Sequence, residues 1–448
     1  MIREKEFYKQ FLKICIVLVL QNVVTLSVNL ADNVMLGNYS EAALSGATAV
    51  NQIQFVYQQL ILGVGDALVI FGSQYWGKGQ TKEIKRISAI AMASGGVIIL
   101  TFFLAATFAP EFLMTIFTND SLIIAEGVKY IAITRFTYIL LGIVLILLAT
   151  LRTVEIVKIA FALSVSTLII NCSINWVLIA GRYGFPELGI SGAGIGTLVA
   201  RSVELIALVI YIARKERVLN LKLSDFFTID KSFAKTYFKL LGPVLFAAAL
   251  WGVNTAMQTA VLGHMSSNAI AANSVASNLF LLVKTGAVGA ASTTTIIIGK
   301  TIGEGRSDKL QEYAKTFQIM FVAMGIVGSI VLFLLIQPVL SLYSLSEETR
   351  YLAESFLSVL CVVMLFMSYQ MPTNIGIIRG AGGTKYMMYL DIISIYVIVL
   401  PLSFFMAFVV EASPIIVVIC LNIDQFFKVI PGFIKVNYGK WIHVLTES

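Results

Sequence analysis

Charge is what this chain has least of. Only 13% of its 448 residues are charged, 58% are hydrophobic, and the mean hydropathy is +0.88. Soluble domains carry about a quarter of their residues as charges, so an ordinary soluble protein is excluded. Histidine is scarcer still: His264 and His443 are too few and too far apart for a metal cluster, which leaves a metalloenzyme almost nothing to stand on. The four cysteines, Cys15, Cys172, Cys361 and Cys420, all lie in long apolar runs and read as small packing residues rather than a disulfide framework. A phosphate loop is lacking as well, since Gly299-Lys-Thr301 has Thr294 where that motif needs glycine. No small-residue cleavage site follows the charged start, so the first apolar run reads as a retained span.

What the chain does have is a succession of apolar runs, each near the roughly 20 residues that cross a bilayer core as a helix. They predict an all-α polytopic membrane protein of twelve spans, at 11–37, 47–72, 88–110, 127–149, 159–180, 190–213, 238–262, 270–298, 315–337, 351–375, 386–410 and 412–433. The net charge of +7 and pI near 9.1 do not imply nucleic acid, because the positive charges fall on one side of the membrane. Of 32 lysines and arginines, 26 sit in segments on the N-terminal side; only Lys129, Arg182 and Arg350 are on the other, and Arg135, Arg201 and Lys284 are within spans. Positive residues stay inside, so both termini are expected in the cytoplasm.

The two halves repeat. Leu36-Gly37 matches Leu262-Gly263, Ser40 matches Ser266, Ala43 matches Ala269, and Gly77-Lys-Gly79 matches Gly303-Glu-Gly305, all at an offset of 226. Six spans per half make this a parallel repeat about an axis along the membrane normal. The expected organisation is an N-lobe of residues 1–213, a basic cytoplasmic linker at 214–237 and a C-lobe at 238–448, two pseudo-symmetric six-helix bundles with a cleft suited to alternating access.

One span is unusual. The first carries Asp32 about five residues before its end, and at 100° per residue Asn22, Thr25, Asn29, Asp32 and Asn33 fall in an arc of roughly 100°. A charge at bilayer depth costs on the order of 2.5 to 3.5 kcal/mol, so it normally faces a watery interior and marks an ion or substrate path.

The runs Leu30-Ala-Asp32-Asn-Val-Met35-Leu-Gly37 and Ala42-Ala-Leu44-Ser-Gly-Ala47 have an echo in Val261-Leu-Gly263-His-Met-Ser-Ser-Asn-Ala-Ile-Ala271-Ala272-Asn273. With Gln74-Tyr-Trp-Gly77-Lys-Gly79, Gly189-Ile-Ser-Gly-Ala-Gly194 and Arg379-Gly-Ala-Gly-Gly-Thr-Lys385, they resemble the multidrug and toxic compound extrusion (MATE) family over about residues 8 to 440. The resemblance implies a cation-coupled antiporter of a prokaryotic inner membrane, exporting small organic cations through two lobes, with sodium or a proton as coupling ion, no other cofactor, and a monomeric state. It makes Asp32 the coupling acid, and Asn171 and Asn175 match a pair that in some members is Asn and Asp. Two positions depart: Ala248 stands where relatives carry a glutamate before the tryptophan, and Gly382-Gly383-Thr384 lacks the usual aspartate. These losses concentrate coupling on Asp32 and the N-lobe.

A carboxylate among amides suits either ion. Burial favours a neutral, protonated acid, whereas Asp32 with the oxygens of Asn29, Asn171 and Asn175 offers a hard cation such as sodium its preferred ligands. Bridging between helices is the competing structural role for those asparagines. Gln54, Tyr57, Gln58, Asn254, Gln258, Asn273 and Tyr369 are candidates to line a substrate cavity. Asp66 is expected to pair with a nearby lysine or arginine, Arg201 with Glu204, and Asp424 with Lys428. Lys284 shares a face with Asn273 and Ser277 and is an awkward neighbour for a cationic drug unless Asp391 or another acid neutralises it. Rival readings are a flippase for a lipid-linked anion, with Lys284, Arg135 and Arg201 as phosphate contacts, an exporter of an endogenous metabolite, and a membrane enzyme, for which no clustered acid, base or metal set is evident.

Overall fold

Long apolar runs leave a backbone one solution in lipid, the helix, in which every N–H and C=O is satisfied within the segment. In the computed structural model, the described residues are 2, 4–227, 229–341, 343 and 345–446, apart from the side chains at 253, 256, 259, 260, 263, 267 and 307. Among them lie twelve helices long and apolar enough to cross a membrane. They are α1 (Lys5–Gly37), α2 (Glu41–Gly77), α3 (Thr81–Phe108), α4 (Ser121–Thr153), α5 (Lys158–Leu178), α6 (Ile190–Arg214) and α7 (Lys231–Met265). The rest are α8 (Ser267–Gly303), α9 (Ser307–Leu340), α10 (Glu347–Arg379), α11 (Thr384–Phe408) and α12 (Pro414–Tyr438). Several exceed their apolar runs, α1 and α7 at the start and α2 at the end. Hydropathy marks only the lipid-facing length, while flanking lysines and glutamates are good helix formers that carry the helix on.

The duplication is visible in the turns. Ser40 Oγ accepts from the Ala43 amide at 3.4 Å at the start of α2, and its repeat mate Ser266 accepts from the Ala269 amide at 3.0 Å at the start of α8. Gly79 and Gly305, past the ends of the same two helices, both take the left-handed backbone, with φ of 72° and 71°. The final turns of α2 and α8 also cross as mates. A Cβ on Gly77 would lie 2.0 Å from the Lys300 carbonyl oxygen, and one on Gly303 would lie 1.9 Å from that of Gln74, so only glycine admits this approach.

The chain forms two compact units, and the border between them runs through helices. One unit is Met1–Val19, Ser73–Lys78 and Gly242–Ser448; the other is Leu20–Gly72 and Gly79–Leu241. This differs from a division at the 214–237 linker. The start of α1 joins the C-terminal unit because Phe7 packs, tilted, against Tyr313 and Phe317 of α9, at 4.7 and 5.0 Å between ring centres. The linker joins the N-terminal unit because it straps the first turns of α3: Lys85 lies 3.0 Å from Asp225, and Arg86 lies 3.4 Å from Asp230. Partial burial opposes ionisation of Asp225, but the Lys222 amide and the Lys85 ammonium outweigh it and hold the carboxyl below its ordinary value.

Within the N-terminal unit, Tyr57 (0% exposed), Phe102 and Tyr138 form an aromatic knot, and the Tyr57 hydroxyl donates to the Tyr138 carbonyl. In the C-terminal unit, α8, α9 and α10 share an apolar core around Phe280, Leu332, Phe356 and Met364. The end of α10 and the middle of α11 wind as π-helix, over Pro372–Arg379 and Ile392–Val399. The first of these starts at a proline, which removes a backbone donor.

Candidate functional site

The polar stripe of α1 delivers one side chain into a closed setting. Asp32 is 8% exposed although it is surrounded by apolar sequence, and Oδ1 accepts a hydrogen bond of 2.7 Å from Asn175 Nδ2 of α5. The same Nδ2 reaches Asn171 Oδ1 at 3.2 Å, one helical turn earlier. Asn171 Nδ2 then donates to Thr197 Oγ1 at 3.2 Å, and that hydroxyl donates to the Ala193 carbonyl at 3.0 Å. The Tyr130 hydroxyl of α4 reaches the Thr197 side chain as well. Four helices of the N-terminal unit thus converge on one carboxylate.

Small residues on α6 make the convergence possible. Gly192, Gly196 and Ala200 recur every four residues on its buried face. A Cβ on Gly192 would meet the Leu178 backbone at 2.8 Å, and one on Gly196 would meet Asn175 Oδ1 at 1.9 Å. With α6 this close, α5 turns Asn171 and Asn175 inward, at 1% and 0% exposure. Asn175 Oδ1 itself has no hydrogen-bond partner, nor has Asn33 Oδ1 beside Asp32. Buried amide oxygens rarely stay unsatisfied, and which end of an amide is nitrogen is a matter of its hydrogen bonds. Turning the Asn175 amide over would present its oxygen to Asp32. The donor set is therefore compatible with an ionised carboxylate and with one carrying a cation.

Of the residues expected at the coupling site, Asp32, Asn171 and Asn175 come together. Asn29 does not: it lies one turn earlier on α1 and is exposed, because the α1 stripe is wider than the face that meets α5. Thr197, Tyr130 and Gly196 belong to the site and were not anticipated. Of these only Gly196 carries a signal, the small-residue spacing of α6.

The candidates for a substrate cavity divide. Tyr57 is a correction, since its ring is core and its hydroxyl is bonded to backbone. Tyr369 is another: it is buried against α9 and donates to Gln318 Oε1 at 2.6 Å. Both follow from tyrosine's character, an apolar body with one polar tip that a single partner satisfies. Gln54 and Gln58 are half-buried on α2. In the C-terminal unit Gln258 Nε2 donates to the Leu421 carbonyl at 3.4 Å, half-buried Asn273 accepts from Ser277 at 3.4 Å, and Asn254 is buried with its side-chain oxygen unpartnered.

The expected ion pairs form. Asp66 meets Arg152 at 3.2 Å, and Arg201 meets Glu204 at 2.6 Å, with the Arg201 charge within electrostatic reach of Asp32. Lys428, 6% exposed, lies between Asp424 at 3.1 Å and Asp391 at 2.9 Å. Asp391 is thus bound to Lys428 and is no partner for Lys284.

Comparison with known proteins places this geometry. The family model MatE matches residues 18–177 and 243–405, one stretch in each half. The "Uncharacterized transporter YisQ" of Bacillus subtilis (strain 168) is 22% identical over 376 residues, 84% of this chain and 82% of its own. A "Probable multidrug resistance protein NorM" of Thermotoga maritima is 22% identical over 439 residues, covering 97% of this chain and 93% of its own. Among solved structures, a MATE transporter in the straight conformation superposes with a TM-score of 0.86 at 16% identity, over 96% of this chain and 95% of that one. An outward-facing multidrug resistance MATE family transporter gives 0.85 at 16%, over 98% and 97%. At such identities the structural likeness establishes the fold alone.

Proposed function

This chain belongs to the MatE family, and we propose from that premise that it is a secondary antiporter exporting small organic cations, drugs among them, in exchange for a proton or a sodium ion. Both termini are cytoplasmic in this reading, the membrane is a prokaryotic inner membrane, and the working unit is a monomer. The single observation that carries the coupling assignment is the Asp32–Asn175 hydrogen bond of 2.7 Å, buried within the helices of the N-terminal unit. An intramembrane acid held this way has two stable chemistries. Ionised, it accepts from the Asn175 amide; loaded with a proton or sodium, it faces the amide oxygen that now lacks a partner. Loading therefore goes with a turn of the Asn175 amide, and because its nitrogen also donates to Asn171 Oδ1, the Asn171 amide turns with it.

One charge crossing 100 mV supplies about 2.3 kcal/mol, roughly a 50-fold gradient, so a single acid suffices for useful export. The multidrug resistance named for the relatives supports drugs as substrates. The flippase alternative loses one of its three phosphate contacts, because Arg201 is already tied to Glu204 on its own helix.

The experiment is efflux of a fluorescent organic cation from proteoliposomes under imposed proton or sodium gradients, for the wild type and Asp32→Asn. Gradient-driven movement that the variant abolishes is the expected result, and the effective gradient names the ion. Undiminished exchange by correctly inserted Asp32→Asn would sink the assignment.

A further inference from the structure

Lys284 is an intramembrane cation that the coupling site leaves unexplained. It stands in the middle of α8, half-buried, within about 40° of Asn273 and Ser277 on the helix. A charged side chain at this depth faces the bundle interior or a watery cavity, not lipid. Its ammonium has three donors, yet no acidic oxygen lies within 4 Å of it among the described residues. Its nearest charges are Asp424 and Lys428. Asp424 is already engaged by Lys428 at 3.1 Å and by Gln425 Nε2 at 2.7 Å, and Asp391 is engaged by Lys428 at 2.9 Å. What Lys284 does have is the face of Trp251 on α7, with 5.4 Å from Nζ to the ring centre.

One turn beyond Trp251 on the same helix is Asn254. It is 7% exposed, and its side-chain oxygen has no partner among the described residues. An ammonium over that indole and a buried carboxamide one turn along the helix, both short of hydrogen bonds, make a polar spot with an aromatic wall. Two acids and two lysines balance the local charge, but they leave the Lys284 donors unfilled.

We propose that Lys284, Trp251 and Asn254 receive a carboxylate of the transported molecule, so that the preferred substrates are aromatic amphiphiles carrying a carboxylate beside their cationic centre. This rests on the antiporter reading and narrows its substrate class. A plain organic cation meets like charge at Lys284. A zwitterion meets charge-assisted donors there and keeps its cationic part for the rest of the path. Trp251 flanks the aromatic body, and the Asn254 amide, turned so that its nitrogen takes the place of the unpartnered oxygen, donates to the second carboxylate oxygen.

Rhodamine 110 and rhodamine 123 test it, since they share one cationic fluorophore and differ in a free carboxylate against its methyl ester. Equilibrium binding of each is read by fluorescence polarisation on the full chain in phosphatidylcholine nanodiscs. The wild type is expected to bind rhodamine 110 about tenfold more tightly. Lys284→Met should erase that preference, Lys284→Arg should keep most of it, and Asn254→Leu should reduce it. A wild type that binds both dyes equally, prefers the ester, or binds neither overturns the proposal, as does a Lys284→Met variant that keeps the preference. Gradient-driven efflux of the same dyes is measured separately: carboxylate-selective binding without efflux under either gradient refutes the antiporter and leaves the receptor standing, whereas efflux without selectivity does the reverse.

Discussion

Gly196→Ala tests the proposed coupling role of Asp32 without touching any charge. The added Cβ would sit 1.9 Å from Asn175 Oδ1 and 3.0 Å from its Cγ, so the amide must retreat by more than about 1 Å to reach ordinary contact. Turning the amide over does not help, because its nitrogen occupies a similar volume. Asn175 is fully buried and its nitrogen is 2.7 Å from Asp32, so a retreat of that size takes the contact past hydrogen-bonding range. A hydrogen bond to a charged group contributes about 1.5 to 3 kcal/mol, which at about 1.4 kcal/mol per factor of ten predicts exchange slowed roughly 10- to 100-fold. The helix itself gains, since alanine is favoured over glycine by about 1 kcal/mol inside a helix. Efflux from proteoliposomes and thermal unfolding in detergent should therefore part company, activity falling while the melting temperature holds. Asn175→Ala removes the group that clashes, so Gly196→Ala added to it should do nothing further. Full exchange by Gly196→Ala, or independent additive losses in the double variant, would refute the reasoning.

Two stability predictions go with it. Lys428→Met leaves Asp391 and Asp424 as neighbouring buried carboxylates without their shared cation, and a loss of about 3 to 5 kcal/mol is expected, read as a lowered melting temperature; an unchanged one would mean the triad is solvated. Tyr57→Phe removes the hydroxyl that satisfies the Tyr138 carbonyl and should cost about 1 kcal/mol in unfolding while dye efflux stays at the wild-type rate, whereas a change in dye affinity would restore Tyr57 to the substrate cavity.

The legible part of the site was the part with a local signature. Asp32 announces itself because a carboxylate in a 33-residue apolar helix has no bland reason to be there. Asn171 and Asn175 are four residues apart and share a face by helix geometry alone. The i, i+3 pair of Arg201 with Glu204 was equally readable. Asn29 misled because periodicity gives the direction of a stripe but not which edge of it meets a neighbour. Thr197 and Tyr130 carry no local mark at all. They matter only because α4 and α6 happen to face α5, and a threonine or tyrosine in a membrane helix is ordinarily packing.

Sequence alone determined the twelve spans, their class and their duplication. Lipid offers the backbone no hydrogen bonds, so a long apolar run has a single fold available, and a repeated pattern of such runs repeats the fold. It also determined the turns, where Ser40 and Ser266, or Gly79 and Gly305, act through neighbours a few residues away. Tertiary structure decided the pairings. Asp32 and Asn175 are 143 positions apart, and they meet because Gly192 and Gly196 let α6 press close enough to fix the rotation of α5. The same holds for Lys428, which takes both Asp391 and Asp424 and leaves Lys284 without an acid in contact among the described residues. Hydrophobic pattern specifies that a helix crosses and how deep each residue lies; its rotation and its partners are set by small-residue contacts between helices, and these are decided only when all the helices pack together.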